Sequence, residues 1–240
     1  MALFNKRSRR TAEDQDEGPT PPVLEGEPGI DRDYDRRADG PYDSNEVDPA
    51  TGMLDLGALR VPLVKGMQLR FDMEKDTRRI VGLTCAMNED KVQVQAFAAP
   101  RSAGIWADIR ADLVKGIKDG GGAVTEHDGP LGTELITRLP GRHADGSALY
   151  QPVRFFGIDG PRWFIRAVVH GPAASNVEQL KPWLVFVRAI VVHRGDEPRP
   201  PREVLALTAP AKKPTAPEGG GSGNDSGEVV VTESDTEDAR

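Results

Sequence analysis

From residue 68 onward, apolar and polar positions alternate with a period of two, the repeat of a half-buried strand. In "QLRFDM", Leu69, Phe71 and Met73 fall on one side and Gln68, Arg70 and Asp72 on the other. "RIVGLTCAMNEDKVQVQAFAAP" continues the alternation through a polar break. A four-residue loop, Asn88 to Lys91, pairs Met87 with Val92, Cys85 with Val94 and Leu83 with Ala96 on one face. It leaves Thr84, Gln93 and Gln95 on the other. The period then changes. In "RSAGIWADIRADLVKGIKDGGG", Ile105, Trp106, Ile109, Leu113 and Ile117 form one helical stripe, with Ser102 as the expected N-cap and three glycines as the stop.

"GTELITRLP", "ALYQPVRFF" and "RWFIRAVVH" return to strand character, separated by the turn signals "GRHADG" and "IDGP". "SNVE" opens a second helix with a Ser175/Glu178 capping box and turns Leu180, Trp183, Leu184 and Val187 inward. The β-branched "AIVVHR" gives a last short strand. In "GDEPRPPREV" the prolines remove backbone donors and exclude regular structure. Runs of strands joined by short turns imply an α+β fold: one antiparallel sheet of about seven to eight strands with two main helices. No repeat of about 20–50 residues marks a solenoid or propeller.

The densest stretch is "FGIDGPRWFIRAVVHG", residues 156–171. As part of a hairpin, an odd-length loop puts Val153, Phe155, Trp163, Ile165 and Ala167 on one apolar face. Arg154, Phe156, Arg162, Phe164, Arg166 and His170 then share the other. An even loop would bury Arg154 among Trp163 and Ile165, which the cost of burying a charge disfavours. Arg154, Phe156, Arg162, Phe164 and Arg166 are therefore the candidate partner contacts. Either a helix covers that face, with the arginines snorkelling or pairing with Asp108 and Asp112, or it is an open platform for a base or a partner's aromatic ring. Alternation of arginine with aromatics is ordinary for a half-covered sheet, which favours the covered reading.

Charge changes the picture by dividing the chain. Residues 1–51 hold thirteen acids against seven bases, and 208–240 hold seven against three. The total is −7, so the middle is mildly basic, at +3. Both ends are poor in large apolar residues, so 1–51 and 208–240 are expected to be disordered acidic tails around a single domain at 52–207. The single cysteine, Cys85, excludes an internal disulfide framework and fits a reducing, cytoplasmic setting. No apolar run reaches the roughly 20 residues of a membrane span. "MALFNKRSRR" has no apolar segment behind its basic cluster and is not a secretory signal.

Candidate chemistry is sparse. His127, His143, His170 and His193 form no pair at metal-binding spacing, and His127–Asp128 and His143–Asp145 read as turn residues. Cys85 reads as a core thiol. "KDGGGAV" ends a helix and so has the wrong polarity for cradling phosphate, and "EGGGSGNDSG" is linker-like. No nucleophile-elbow, Walker-type, zinc-protease or kinase pattern occurs. No metal, no cofactor and no catalytic residue is implied, and a non-enzymatic role is expected.

One ordered run of segments carries a resemblance: "GPYDSNEVD", "MLDLGALRVPLVKGMQLR", "VQVQAFAAPRSAGIWADIRADL", "GPLGTELITRLPG", "VRFFGIDGPRWFIRAVVHG" and "VVHRGDEPRPPRE". Together, over about residues 40–205, they resemble the actinobacterial family catalogued as domain of unknown function 3710. The resemblance implies no activity, cofactor or catalytic residue. It implies a small cytoplasmic protein, with a link to nucleotide or DNA metabolism through neighbouring genes. The order of elements is also similar to Mog1/PsbP-type α+β domains, mostly binding or adaptor modules. The expected function is recognition of a protein partner by a sheet face or edge, with the acidic tails as a brake. The alternatives are a nucleic-acid- or nucleotide-associated binder, against which the net charge argues, and a small-molecule binder with a site between helix and sheet.

Overall fold

The computed structural model describes residues 34–48, 51–101, 104–142, 145–210 and the backbone of 228–229. The fold is α+β. Its main sheet runs antiparallel through β4 (Gln68–Met73), β5 (Ile80–Met87), β6 (Asp90–Ala98), β10 (Trp163–His170), β9 (Ala148–Gly160), β8 (Gly132–Arg142) and β7 (Ala123–Gly129), in that spatial order. A two-residue strand, β12 (Glu228–Val229), lies outside β4. A second, small sheet joins β1 (Tyr42–Asp43), β11 (Val191–Val192), β3 (Leu59–Pro62) and β2 (Met53–Asp55). The helices are α1 (Arg36–Asp39), α2 (Trp106–Asp119) and α3 (Val177–Arg188).

The alternation at β5 and β6 sorts the sheet into two faces. Leu83, Cys85, Val92 and Val94 are fully buried on the first, continuous with Trp163, Ile165 and Ala167 on β10, under α3 and the small sheet. The second face is divided. Over β8–β10, helix α2 covers Leu135, Val153, Phe155, Phe164 and Val168. Over β4–β6 and the adjoining β10 it is polar. Asp72 accepts hydrogen bonds from Thr84 Oγ1 (2.9 Å) and Gln93 Nε2 (2.8 Å), and Gln95 accepts one from Arg166.

The β5–β6 faces are as the alternation predicts, but the register is two residues tighter. Leu83 pairs with Val94 and Cys85 with Val92, leaving a two-residue turn, Asn88–Glu89. Asn88 takes φ 57°, a left-handed conformation that asparagine adopts more readily than most residues. Asp90, expected in the loop, pairs with Met87, and its carboxylate accepts from Ala173 N–H at 2.7 Å.

The β9–β10 hairpin overturns the odd-loop expectation. Gly160 pairs with Trp163, so the turn is the two residues Pro161 and Arg162. Proline supplies the first position of a type II turn and Arg162 the second, at φ 64°. An even loop puts Arg154 and Phe156 on the Trp163/Ile165 face and leaves Phe164 and Arg166 on the other. The charge-burial argument failed because Arg154 has a buried carboxylate partner, Glu134.

Helix starts differ as well. Asn176, not Ser175, caps α3, its Oδ1 accepting from Glu178 N–H (2.9 Å) and Gln179 N–H (3.2 Å). Ser102 lies outside the described residues. The start of α2 is capped from a distance: Asp159, in the β9–β10 hairpin, accepts from Ile105 N–H at 2.8 Å and Trp106 N–H at 3.3 Å. Asp108 and Asp112 face Arg202, at 3.7 and 3.5 Å, and not the arginines of the hairpin.

The domain begins upstream of residue 52. Residues 34–48 pack onto the core: β1 runs parallel to β11, and Asp43 is buried and accepts from Trp163 Nε1 at 2.7 Å. At the other end, residues 203–208 fill the splay between β5 and β6. Leu205 N–H donates to Ala96 O, Leu207 N–H to Ile80 O and Thr208 N–H to Leu56 O. Residues 1–33 and most of 211–240 lie outside the described residues.

Candidate interaction surface

The five candidate contacts do not form one surface. Arg154 is fully buried, donating through Nε to Glu134 Oε2 at 2.9 Å and through Nη2 to Glu134 Oε1. Its guanidinium carbon lies 5.5 Å from the Phe156 ring centroid, and His127 Nδ1 sits 3.0 Å from Glu134 Oε1. Phe156 is core on the first face. Phe164 is core on the second, its centroid 5.8 Å from that of Trp106 and the rings inclined by 23°. Gly157 makes that stack possible, because a Cβ there would meet the Trp106 ring at 2.1 Å. These three side chains are interior and unavailable to a partner.

Arg162 and Arg166 are half-buried and separate. Arg166 lies over Phe97, 5.7 Å from the ring centroid, and burial lowers its pKa from the usual guanidinium value. Arg162 sits in the turn. The histidine reading shifts too: His127 and Asp128 belong to β7, a strand not expected from sequence, and His143 lies outside the described residues. Among the described residues no three His, Cys, Asp or Glu side chains converge as metal ligands. Burial, with a smaller push from Asp72, drives the Cys85 thiol up to about 12, where it is not a nucleophile. No helix among the described residues is long and apolar enough to cross a membrane.

Two outward-facing features lie together at the β4 end of the sheet. Among the described residues, Leu69 and Arg70 are the two of the six β4 residues that pair on the outer side, with Val229 and Glu228. Backbone groups along a strand edge can take an added strand. Beside it, at the start of β4, opens an apolar groove of about 320 Å³ lined by Pro62, Val64, Met67, Met87, Pro182 and Val185, with Trp183 and Phe186 at its base. Val185 is 68% exposed, Leu63 47% and Val64 39%.

Two residues of α3 make the groove wall. Leu180, Trp183 and Val187 of the predicted inward row are buried, and Leu184 is partly buried against the same core. A second row, Pro182, Val185 and Ala189, faces the groove. Sequence carried this signal: "PWLVFV", 182–187, is apolar at six consecutive positions, more than one buried stripe requires. The exposed part of that run had no assignment in the one-stripe reading.

A family model described as protein of unknown function (DUF3710) matches residues 40–215, and the chain belongs to that family. The match includes the 40–48 segment that packs on the core and ends beyond the 203–208 return strand. No curated protein sequence matches the chain.

Proposed function

We propose that this member of the family is a protein-interaction module that takes up an extended, apolar segment of another protein along the outer edge of β4 and in the groove beside it. The observation that carries the reading is the adjacency of a strand edge that, among the described residues, is paired at two positions and an apolar groove with exposed Val64 and Val185. An added strand gains affinity from main-chain hydrogen bonds and specificity from side chains seated beside the edge.

The partner's chemistry follows from the edge. It is an extended stretch rich in β-branched residues, without proline at the paired positions. The chain's own "EVVVTE", residues 228–233, has that composition, and its first two residues hold the edge. That segment competes in cis, so the acidic C-terminal arm acts as a brake at the sheet edge and not at the hairpin. The experiment is affinity capture from a native extract by three chains, each verified folded by circular dichroism: the full chain, one ending at residue 210, and Val185→Asp. The reading expects a protein captured more strongly by the truncated chain and lost by Val185→Asp. Equal capture by all three, or capture abolished by nuclease treatment, contradicts it.

A further inference from the structure

The pairing on the outer edge of β4 has a direction as well as a register. β12 runs antiparallel to β4, with Glu228 opposite Arg70 and Val229 opposite Leu69. One further step along that ladder would place Val230 opposite Gln68, and a second would place Val231 opposite Met67. Met67 lines the apolar groove, and so does Met87 across the sheet from it.

Directly paired residues share a face, so each position of an added strand extends an existing cross-strand row. The register of Val229 continues Leu69, Cys85 and Val92, a buried apolar row on the first face. That of Glu228 continues Arg70, Thr84 and Gln93, a polar row on the second. The next polar row is Gln68, Ala86 and Lys91, and Met67 returns to the first-face core beside Leu69.

We propose that the C-terminal segment extends this pairing by two residues and seats Val231 in the groove among Met67, Met87 and Val185. The site then reads four positions of an incoming strand: an acid, an apolar residue, an unrestricted residue and a second apolar residue. This rests on the reading of edge and groove as one docking site, and it gives that site's partner a sequence. The own segment is tethered, so it competes at an effective concentration on the order of millimolar. The three carbons of a valine side chain fill only part of a groove of about 320 Å³. A partner with leucine, methionine or phenylalanine at the fourth position buries more apolar surface there, about fourfold in affinity for each added methylene. Val231 thus shields the groove and yields it to a strand that fills it better.

The test uses the full chain with its methionine methyl groups labelled with carbon-13, as wild type, Val231→Asp and Val230→Asp. Both positions lie outside the residues that build the core, so the variants fold alike, which equal melting temperatures verify. The Met67 and Met87 methyl signals should shift in Val231→Asp and stay in place in Val230→Asp, whose position falls on the polar side. Val231→Leu should slow exchange of the outward β4 amides about fourfold. Identical methionine signals in all three chains, or equal shifts in both variants, overturn the proposal. Affinity capture separates this result from the docking reading itself. A protein captured by the chain ending at residue 210 and lost by Val185→Asp, with methionine signals indifferent to Val231, overturns this inference and keeps that reading. Signals that respond to Val231 alone support the inference even where no protein is captured, which removes the partner reading.

Discussion

Arg154 and Glu134 bury their charges against each other, Nε to Oε2 at 2.9 Å, with neither side chain exposed to solvent. They sit on neighbouring strands, twenty residues apart in sequence, on the face that also carries Trp163 and Ile165. A buried pair of this kind is costly to break from one side, since the remaining charge has no water to return to. Arg154→Met is expected to lose about 3–5 kcal/mol of stability, and Glu134→Gln a large part of that. The double change Glu134→Leu/Arg154→Met should recover most of the loss. Urea unfolding of the three variants checks this; additive losses in the double variant would show that the pair is not a coupled unit.

The Asp159 carboxylate joins the β9–β10 hairpin to the first turn of α2. It satisfies two free helix N–H groups and places a negative charge at the positive end of the helix dipole. Asp159→Ala should cost about 1–2 kcal/mol, and Asp159→Asn less, because the amide oxygen still accepts. Equal losses would assign the effect to charge alone. Gly104→Ala should also be harmful, since its Cβ would lie 2.2 Å from Asp159 Oδ2.

Cys85 is fully buried and its thiol titrates near 12, above the ordinary value near 9. The folded state therefore holds the proton more tightly than the unfolded chain does. Its contribution to stability is complete below about pH 9 and is lost as pH rises toward 12. At pH 8 an aromatic disulfide reagent should label the native protein only as fast as it opens, and a Cys85→Ala variant should show a flatter stability profile above pH 9. Rapid native labelling would contradict the burial.

Where the sequence was legible, a local pattern decided the structure. Alternation at 80–98 sorted the two faces of β5 and β6, and the helical period named Leu180, Trp183, Leu184 and Val187 as inward, of which Leu184 is only partly buried. Where it misled, a distant residue decided. Arg154 could be buried only because Glu134 was waiting on β8, and no spacing in the hairpin announces that carboxylate. The start of α2 is fixed by Asp159, more than fifty residues downstream. Residues 34–48 look like a polar arm by composition. Contacts with distant residues hold them, among these the parallel β1–β11 pair, the Asp43–Trp163 hydrogen bond and Tyr34 packed against the core, while Arg36 and Glu46 pair within the segment at 2.7 Å. The site followed the same rule. The apolar run at 182–187 was visible, but its outward row acquires meaning only beside Met67 and the β4 edge, which chain connectivity does not reveal.

The groove makes its own prediction for the isolated protein. Val185 is the most exposed large apolar residue among the described residues, so Val185→Asp should change stability by no more than about 0.5 kcal/mol while removing the affinity for an apolar segment that is proposed for the groove. Thermal melting separates the two effects. A large loss of stability would make the exposed row part of the core.

Backbone amide hydrogen exchange, compared between the full chain and a chain ending at residue 210, tests the central claim most directly. If the edge of β4 is a strand-docking site held in cis, the outward amides among Leu69–Phe71 exchange faster after truncation, and those of β5 do not change. Identical protection of β4 in the two chains would contradict it.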